Sequence, residues 1–436
     1  MSTFLLASTP LYGHVAPLVS IGTRLVAEGH RVLMLTGSAY ADRVRAAGLQ
    51  FRALSGAADF DERDPSTYVP DLDRYRGLSR SRYQVEQTFV RPIPDQYREV
   101  RSILDDEEID AVLVDCVFAG VLPLLTDGAG ARPPVLAAGI MPLAQTSRDV
   151  APYNTALPPS SSPFGRLRNR ALNLVGRRVF FAPTQRLADR LVREVGGAPL
   201  DGTFVLDLST LFDRFLQLGP AEFEYPRSDL APNTTFVGAV LPGQGATPAE
   251  LPDWWAELDD GRPVVHVTQG TLDNLDFSQV VRPTIDALAG ADLHVLVSTG
   301  RRPVAEVGPV PANTRVAEFL PYAALLPRTD VMVTNGGFGG TLQALSAGVP
   351  LVVAGASEDK PETAARVAHF GVGIDLRTGR PSADRIGKAV HDILGDGTWR
   401  DRARAMATAM AGYDALGSVV AELAAAVDGT QHARGS

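Results

Sequence analysis

The stretch that decides the fold runs from Asn335 to Lys360 and reads NGGFGGTLQALSAGVPLVVAGASEDK. It follows a short apolar run typical of a strand, Asp330 to Thr334, and continues into helix formers at Thr341 to Ala347. Gly348-Val349-Pro350 is a helix stop signal, and a second apolar strand pattern comes after it. Four glycines among five positions predict a turn that aims backbone N–H groups and a helix N-terminus at one spot. Such a turn suits a diphosphate.

Two familiar glycine motifs do not describe this turn. The dinucleotide fingerprint GxGxxG opens a βαβ unit and is followed at a set distance by an acidic residue that binds ribose. A P-loop ends in GK followed by Ser or Thr, and that ending is absent here. The turn therefore predicts a phosphate site of a different kind.

Composition narrows the class of protein. The chain has 436 residues, of which 45% are hydrophobic and 21% charged, so it can build two or three globular domains. A net charge of -9 disfavours nucleic acid as a partner, because that binding needs a basic surface. The single cysteine, Cys116, cannot form an internal disulfide, and no run of about 18 apolar residues occurs. We expect a cytoplasmic protein that does not span a membrane.

The chain reads as two α/β halves of similar architecture. The first opens with a strand at Phe4 to Ala7, a helix and a second strand at Arg31 to Leu35, and the second restarts with a strand at Pro263 to Val267. We predict a first domain at 1–218, a linker rich in Pro and Gly at 219–253, a second domain at 254–410, and a C-terminal helix with a disordered tail at 411–436.

Two long segments of the first half, 55–95 and 142–163, have little regular pattern. Loops of this length in a compact domain commonly bind ligands. Together the aromatic side chains that they carry suit an apolar or aromatic ligand, whereas any single ring is better interpreted as anchoring its loop to its own domain. The predicted set of acceptor-binding residues comprises Phe60, Tyr68, Tyr83, Phe118, Met141 and Tyr153.

Four sequence motifs, taken in their order along the chain, resemble those of a known family. They are Gly13-His14-Val15-Ala16-Pro17, Phe319-Leu320-Pro321-Tyr322, the glycine turn, and Glu358-Asp359-Lys360. Together they resemble the nucleotide-sugar-dependent glycosyltransferases of GT-B fold, specifically the bacterial enzymes that glycosylate natural products. The resemblance covers nearly the whole chain. It implies two Rossmann-like domains that face each other across a cleft, the first binding the acceptor and the second a UDP- or dTDP-sugar. It also implies C-terminal helices that cross back to the first domain.

The resemblance places the general base on His14 and the aspartate that orients it on Asp115. Inverting transfer needs a group that removes the proton of the acceptor hydroxyl as it attacks the anomeric carbon, which an imidazole can do. A carboxylate on the other ring nitrogen holds the tautomer and stabilises the imidazolium. Both residues follow predicted strands, and ligands collect at the carboxyl ends of parallel strands.

The resemblance also supplies donor-binding residues. The family's base-stacking tryptophan becomes Phe319, a hydroxyl for the phosphates falls on Thr271, and the pair that holds the sugar hydroxyls falls on Asp359 and Lys360. Three positions depart from the pattern: histidine is Asn335 here, serine is Gly340, and the ribose-binding glutamate is Gln343. The predicted donor site comprises Thr271, Phe319, Asn335, Gly337, Gly339, Gly340, Gln343, Asp359 and Lys360. Because an amide binds a ribose diol less strongly than a carboxylate does, we hypothesise a dTDP-sugar donor.

Other interpretations stay open at this point. A catalytically silent partner of a glycosyltransferase would account for the three departures, whereas a sugar-nucleotide epimerase would need several acidic residues around the sugar. No cofactor beyond the nucleotide sugar and no metal are expected, and a homodimer is one assembly hypothesis. A stripe of arginines between Arg166 and Arg178, interleaved with Leu and Val, is interpreted as a solvated helix face, the alternative being a helix seated on anionic lipid.

Overall fold

The computed structural model describes residues 1–126, 132–200, 202–241, 251–271 and 274–435. Two parallel sheets, one in each half of the chain, form the framework. The predicted α/β fold class is confirmed.

The first sheet has seven strands in the order β3-β2-β1-β4-β5-β6-β7. Every pair in it is parallel, and helices connect the strands. Its strands are β1 (Thr3–Ala7), β2 (Arg31–Thr36), β3 (Gln50–Ala53), β4 (Ala111–Asp115), β5 (Val135–Gly139), β6 (Arg214–Gln217) and β7 (Thr234–Phe236). The helices are α1 (Tyr12–Ala27), α2 (Ala41–Ala46), α3 (Gly77–Val85), α4 (Ile93–Asp106), α5 (Leu122–Thr126), α6 (Pro163–Val175) and α7 (Ala182–Glu194).

The second sheet has six parallel strands in the order β10-β9-β8-β11-β12-β13. Its strands are β8 (Val264–Thr268), β9 (His294–Ser298), β10 (Thr314–Ala317), β11 (Val331–Thr334), β12 (Leu351–Val353) and β13 (Gly373–Asp375). The remaining helices are α8 (Val281–Ala287), α9 (Tyr322–Leu325), α10 (Phe338–Ser346), α11 (Lys360–His369), α12 (Ala383–Gly395), α13 (Gly397–Ala411) and α14 (Ala415–Gly435).

The central strands are short apolar runs because helices cover both faces of each sheet. All five residues of β4, β5, β8 and β9 are buried. Such strands read as continuous Val, Leu and Ala rather than as an alternating pattern. This burial explains why the predicted strands agree with the observed ones to within one residue at either end.

The predicted linker and tail differ from the structure. Thr234–Phe236, inside the predicted linker 219–253, pairs with β6 as the seventh strand of the first sheet. The strand has three half-buried residues at a sheet edge, so its sequence carries little apolar signal. Residues 242–250 of the predicted linker lie outside the described residues. The tail predicted to be disordered continues as helix to Gly435, because α14 has no break after Ala415.

The chain crosses between the domains twice. After α13 in the second domain, α14 returns to the first, where Val419, Leu423 and Val427 join the core beside β1 and α1. The two crossings meet at Tyr413, whose hydroxyl accepts the Ala221 N–H at 3.1 Å and donates to Glu222 at 2.9 Å. The Tyr413 side chain also fills the space above Gly238, where an added Cβ would lie 2.3 Å from the Cβ of Tyr413.

One segment, Gly397–Gly429, is long and apolar enough by length and composition to cross a membrane. Core helices of soluble proteins pass the same test. Here Met406 and Met410 pack into the second domain, and Val419 and Leu423 pack into the first. The buried apolar residues of this segment therefore belong to the two domain cores.

Candidate active site

His14 and Asp115 meet at the carboxyl ends of two adjacent strands. β1 and β4 pair in register, with Ala7 opposite Val114, so the loop into α1 and the last residue of β4 share one edge of the sheet. Nδ1 of His14 lies 3.4 Å from Oδ1 of Asp115. The Asp115 side chain is fully buried, whereas that of His14 is 15% exposed. The structure thus brings the predicted base and its orienting carboxylate together, with the imidazole partly exposed.

Backbone donors hold Asp115 in place. The Thr9 N–H donates to Oδ2 at 2.6 Å, and the Val117 N–H donates to Oδ1 at 2.8 Å. The carboxylate is therefore anchored on both oxygens before it meets the imidazole. The Nδ1 atom of His14 is buried and has no hydrogen-bond partner among the described residues, so Oδ1 of Asp115, 3.4 Å away, is the group placed to receive its proton. This arrangement leaves Nε2 as the nitrogen that can meet an acceptor.

A second carboxylate near His14 was missed by the sequence prediction. Glu62 accepts a hydrogen bond from the backbone N–H of Tyr12, the first residue of α1, at 2.7 Å, and another from the Tyr40 hydroxyl. Burial raises the pKa of Glu62, and hydrogen bonds and His14 oppose that rise. The carboxylate ties the irregular loop to the helix that carries His14. An acidic residue in an aromatic-rich loop was the only signal in the sequence.

The glycine turn forms the N-terminus of α10. Gly336 has φ of 88°, a conformation that favours glycine, and Gly337 caps the helix without a side-chain hydrogen bond. An added Cβ at Gly337, Gly339 or Gly340 would meet nothing within 4 Å. Because no side chain of the described residues caps α10, its first N–H groups remain available to an anion in the space in front of the helix.

Other predicted donor residues lie on α10 or follow strands β8, β10 and β11 of the second sheet. Phe319 is 58% exposed, which is unusual for a phenyl ring and leaves a face open for stacking. The buried side chain of Asn335 donates a hydrogen bond to the Gln269 carbonyl at 2.6 Å, so one amide proton is used within the protein. Gln343 lies on the first turns of α10 and donates to the Gly339 carbonyl at 3.3 Å. Thr271 is exposed on the loop after β8.

Asp359 and Lys360 stand at the start of α11. The Lys360 ammonium donates to Ser357 Oγ at 3.1 Å and pairs with the Glu358 carboxylate, so it is buried and engaged. Burial raises the pKa of Asp359, while Lys360 and, more weakly, His14 lower it. Asp359 of the second domain therefore lies within electrostatic range of His14 of the first.

The predicted acceptor residues have different environments. Phe60 is buried and stacks on Tyr68 at 4.5 Å, and Tyr83 stacks on Tyr75 at 4.3 Å, so these rings hold their loop together. Phe118 was predicted wrongly: it is fully buried in the core of the first domain, because the chain turns inward after β4.

Met141 and Tyr153 are half-buried on the segment after β5. The carbonyl of Met141 accepts a hydrogen bond from the Gln217 side chain at 2.9 Å, which fixes the backbone there. The Tyr153 hydroxyl is buried and has no hydrogen-bond partner among the described residues. Burial raises the pKa of Tyr153, and the carboxylates of Asp359 and Glu362 add to that rise. Tyr153 therefore lies near α11, the helix that Asp359 precedes.

A buried ion network joins the two domains behind this site. Arg366 on α11 pairs with Glu224 at 2.6 Å and with Glu362 at 2.9 Å, and its guanidinium lies over the Tyr225 ring. Glu362 also accepts the Ala156 N–H at 3.2 Å, three residues after Tyr153. The network positions the loop with Tyr153 against the helix that starts at Asp359 and Lys360. The pairs that join the domains, Arg366 with Glu224 and Glu362 with Ala156, are far apart in sequence, so no local pattern indicated them.

Comparison with known proteins shows the family of the chain. Residues 282–426 match the C-terminal domain family of erythromycin biosynthesis protein CIII-like proteins. The chain is 39% identical to 4'-demethylrebeccamycin synthase of Lentzea aerocolonigenes over 416 residues, 94% of this chain and 96% of that protein. It is 36% identical to UDP-glycosyltransferase 2 of Phaeomoniella chlamydospora over 437 residues, 97% of this chain and 96% of that protein.

The fold comparison gives the same class. The crystal structure of the glycotransferase of kitacinnamycin superposes with a TM-score of 0.75 at 21% identity, covering 98% of this chain and 99% of that one. Two Rossmann-like domains of this kind are the predicted GT-B fold. The chain belongs to the UDP-glycosyltransferase family of natural-product biosynthesis, and it is a glycosyltransferase.

Proposed function

We propose that the protein transfers a sugar from a nucleoside diphosphate to a bulky apolar or aromatic natural product, with inversion and without a metal ion, in the cytoplasm. The observation that carries the proposal is the His14–Asp115 pair at the edge of a cleft whose other side carries an open helix N-terminus.

His14 acts as the general base in this proposal. Its Nε2 removes the proton of the acceptor hydroxyl as the oxygen attacks the anomeric carbon. Asp115 keeps Nδ1 protonated and stabilises the imidazolium that forms. Because two backbone N–H groups already hold Asp115, the imidazole is oriented before the acceptor arrives.

The N-terminus of α10 stabilises the departing diphosphate. Negative charge grows on the leaving group in the transition state, and the unsatisfied N–H groups and the helix dipole are aimed at it. Phe319 stacks on the base, and Asp359 accepts hydrogen bonds from the sugar hydroxyls. We assign Lys360 a supporting role, since its ammonium is held by Glu358 and Ser357.

The acceptor lies against the loops of the first domain. Tyr153 lies on the loop that Glu362 of α11 holds through the Ala156 N–H, and its hydroxyl, without a partner among the described residues, can bind a polar group of the acceptor or of the sugar. The relative named 4'-demethylrebeccamycin synthase supports a large natural-product acceptor. We propose the same class of acceptor for this protein.

Slow hydrolysis of UDP- and dTDP-sugars by the purified protein tests the proposal without knowledge of the acceptor. We expect release of the nucleoside diphosphate from one donor class, unchanged by EDTA and reduced by about 100-fold or more in His14→Ala. His30→Ala is the matched control, because His30 precedes β2 at the opposite edge of the first sheet, where its ring accepts the Ser2 N–H. Hydrolysis that His14→Ala leaves intact would contradict the assigned base.

The identity of the nucleotide is a separate question. Gln343 replaces the carboxylate that grips a ribose diol, so we propose that dTDP binds at least as tightly as UDP. Calorimetric titrations with both nucleotides measure this directly. Tighter binding of UDP that is unchanged in Gln343→Ala would contradict it.

A further inference from the structure

The helix α6 presents its apolar side chains to solvent. Of thirteen exposed large hydrophobic side chains among the described residues, five lie on α6 and the turn after it. Phe164 is 86% exposed and Val179 is 69% exposed, and the set comprises Phe164, Leu167, Leu174, Val175 and Val179. Spacings of three, four and seven residues put them along one side of the helix. We call these five residues the apolar stripe.

The opposite side of α6, which faces the protein, is polar. Its buried residues are Gly165 and Asn169, and the Asn169 amide donates to the Arg148 carbonyl at 3.1 Å. One turn later, Asn173 donates to the Ser147 carbonyl at 3.2 Å. An ordinary surface helix buries its aliphatic residues and exposes its polar ones. The helix α6 instead exposes its apolar residues and buries its polar ones. Removing the apolar stripe from water, by contact with another apolar surface, would therefore be favourable.

Positive charge borders the stripe. From 157 to 188 the sequence contains six arginines and no aspartate or glutamate, in a chain of net charge -9. Arg166 pairs with Asp149, whereas Arg170 and Arg178 have no ion pair or hydrogen bond within the described part of the chain. A cavity of about 710 Å³ beside α6 is lined by Arg148, Arg170, Arg177 and Arg178. The two aspartates at its wall, Asp189 and Asp229, accept backbone hydrogen bonds.

We propose that α6 docks the protein on an anionic lipid bilayer, with the apolar stripe in the interface and the arginines on lipid phosphates. An exposed apolar face bordered by unpaired cations is the signature of a helix that lies in a membrane interface. A second copy of the chain is a poorer occupant, because a symmetric contact would bring the arginines of one copy against those of the other. The solvated face predicted from the sequence does not account for the exposed stripe.

The helix α6 lies next to the loop that we propose binds the acceptor, so docking on a bilayer would bring this loop close to the lipid. The helix follows directly from the loop that carries Tyr153, and Arg168 donates to the Pro158 carbonyl of that loop at 2.9 Å. A bilayer on the stripe would lie next to this part of the first domain. An apolar acceptor dissolved in the bilayer would then reach the cleft without crossing water.

Co-sedimentation with vesicles tests the proposal on the full chain. We expect binding to vesicles that contain phosphatidylglycerol and little binding to vesicles of phosphatidylcholine alone. Leu167→Asp with Val175→Asp should reduce the partition coefficient by about tenfold or more. Arg170→Ala and Arg178→Ala should each reduce it by about fivefold on anionic vesicles, and added salt should shrink that effect.

Val304→Asp with Val310→Asp provides the matched control, since both side chains are exposed on the second domain. Equal melting temperatures of all variants exclude unfolding as the cause. Failure of the parent protein to bind anionic vesicles would overturn the proposal and leave a protein partner as the occupant of the stripe. Binding that the Leu167 and Val175 substitutions leave unchanged would overturn it as well.

Discussion

Replacing Asp115 by asparagine should separate the orientation of His14 from the stability of the fold. The carboxylate accepts two backbone hydrogen bonds, at 2.6 and 2.8 Å, and faces the imidazole at 3.4 Å. An asparagine offers one oxygen, so its amide would face either a backbone N–H or Nδ1 of His14. One buried donor then loses its acceptor, which costs about 1–3 kcal/mol of unfolding free energy. Without the carboxylate the imidazolium is not stabilised, and we expect kcat to fall by about a thousandfold or more.

The assay compares donor hydrolysis, or transfer once an acceptor is known, with urea unfolding of the same samples. Asp110→Asn is the matched control, because Asp110 accepts the Thr3 N–H at 2.8 Å at the other end of the same two strands. It should lower stability without lowering kcat, and Asp115→Asn should leave the Kd for the nucleotide unchanged. A kcat within tenfold of the parent for Asp115→Asn, at a similar loss of stability in both variants, would refute the orienting role.

Three further predictions concern the donor site and the ion network. Burial opposes ionisation of Glu224, yet Arg366 and Arg227 lower the pKa of Glu224 from an ordinary 4.5 to about 2. The ionised carboxylate therefore stabilises the fold fully above pH 4.5, and this stabilisation is lost as the pH falls towards 2. Glu224→Gln should therefore lower the urea-unfolding free energy by about 3 kcal/mol near neutral pH and by less in acid, and an equal loss at both would contradict the pairing. Gly340→Asp should weaken nucleotide binding by about tenfold or more, because the new carboxylate repels the diphosphate. Gly397→Asp at the start of α13 is the control and should leave binding unchanged, and calorimetry measures both. Phe319→Ala should weaken nucleotide binding by about 1–3 kcal/mol, and an unchanged Kd would remove the stacking role.

The sequence was most informative where burial is simplest. Strands covered on both faces appear as continuous apolar runs, and the central strands of both sheets were predicted from them, whereas β6 and edge strands such as β7 were not. The His14–Asp115 meeting could be anticipated because parallel topology brings the carboxyl ends of neighbouring strands to one edge.

The parts that could not be predicted depend on contacts between distant residues. Glu62 reaches the start of α1 across 50 residues, and Arg366 reaches Glu224 across 142. Neither pairing leaves a periodic or local pattern. Phe118 was assigned to the wrong surface because an aromatic residue after a strand can turn either into the core or into the cleft. The exposed side of α6 was equally unpredictable, since an amphipathic pattern does not say which side faces the protein.

The double crossing at Tyr413 limits how the cleft can open. A single linker would let the two domains swivel and twist freely, but two chain segments pinned side by side form a hinge with one preferred axis. A rotation of one domain against the other about any different axis would have to break the contacts of Tyr413 with Ala221 and Glu222. Ending the chain before α14 would therefore leave a single flexible connection between the domains, and it would also remove part of the first domain's core.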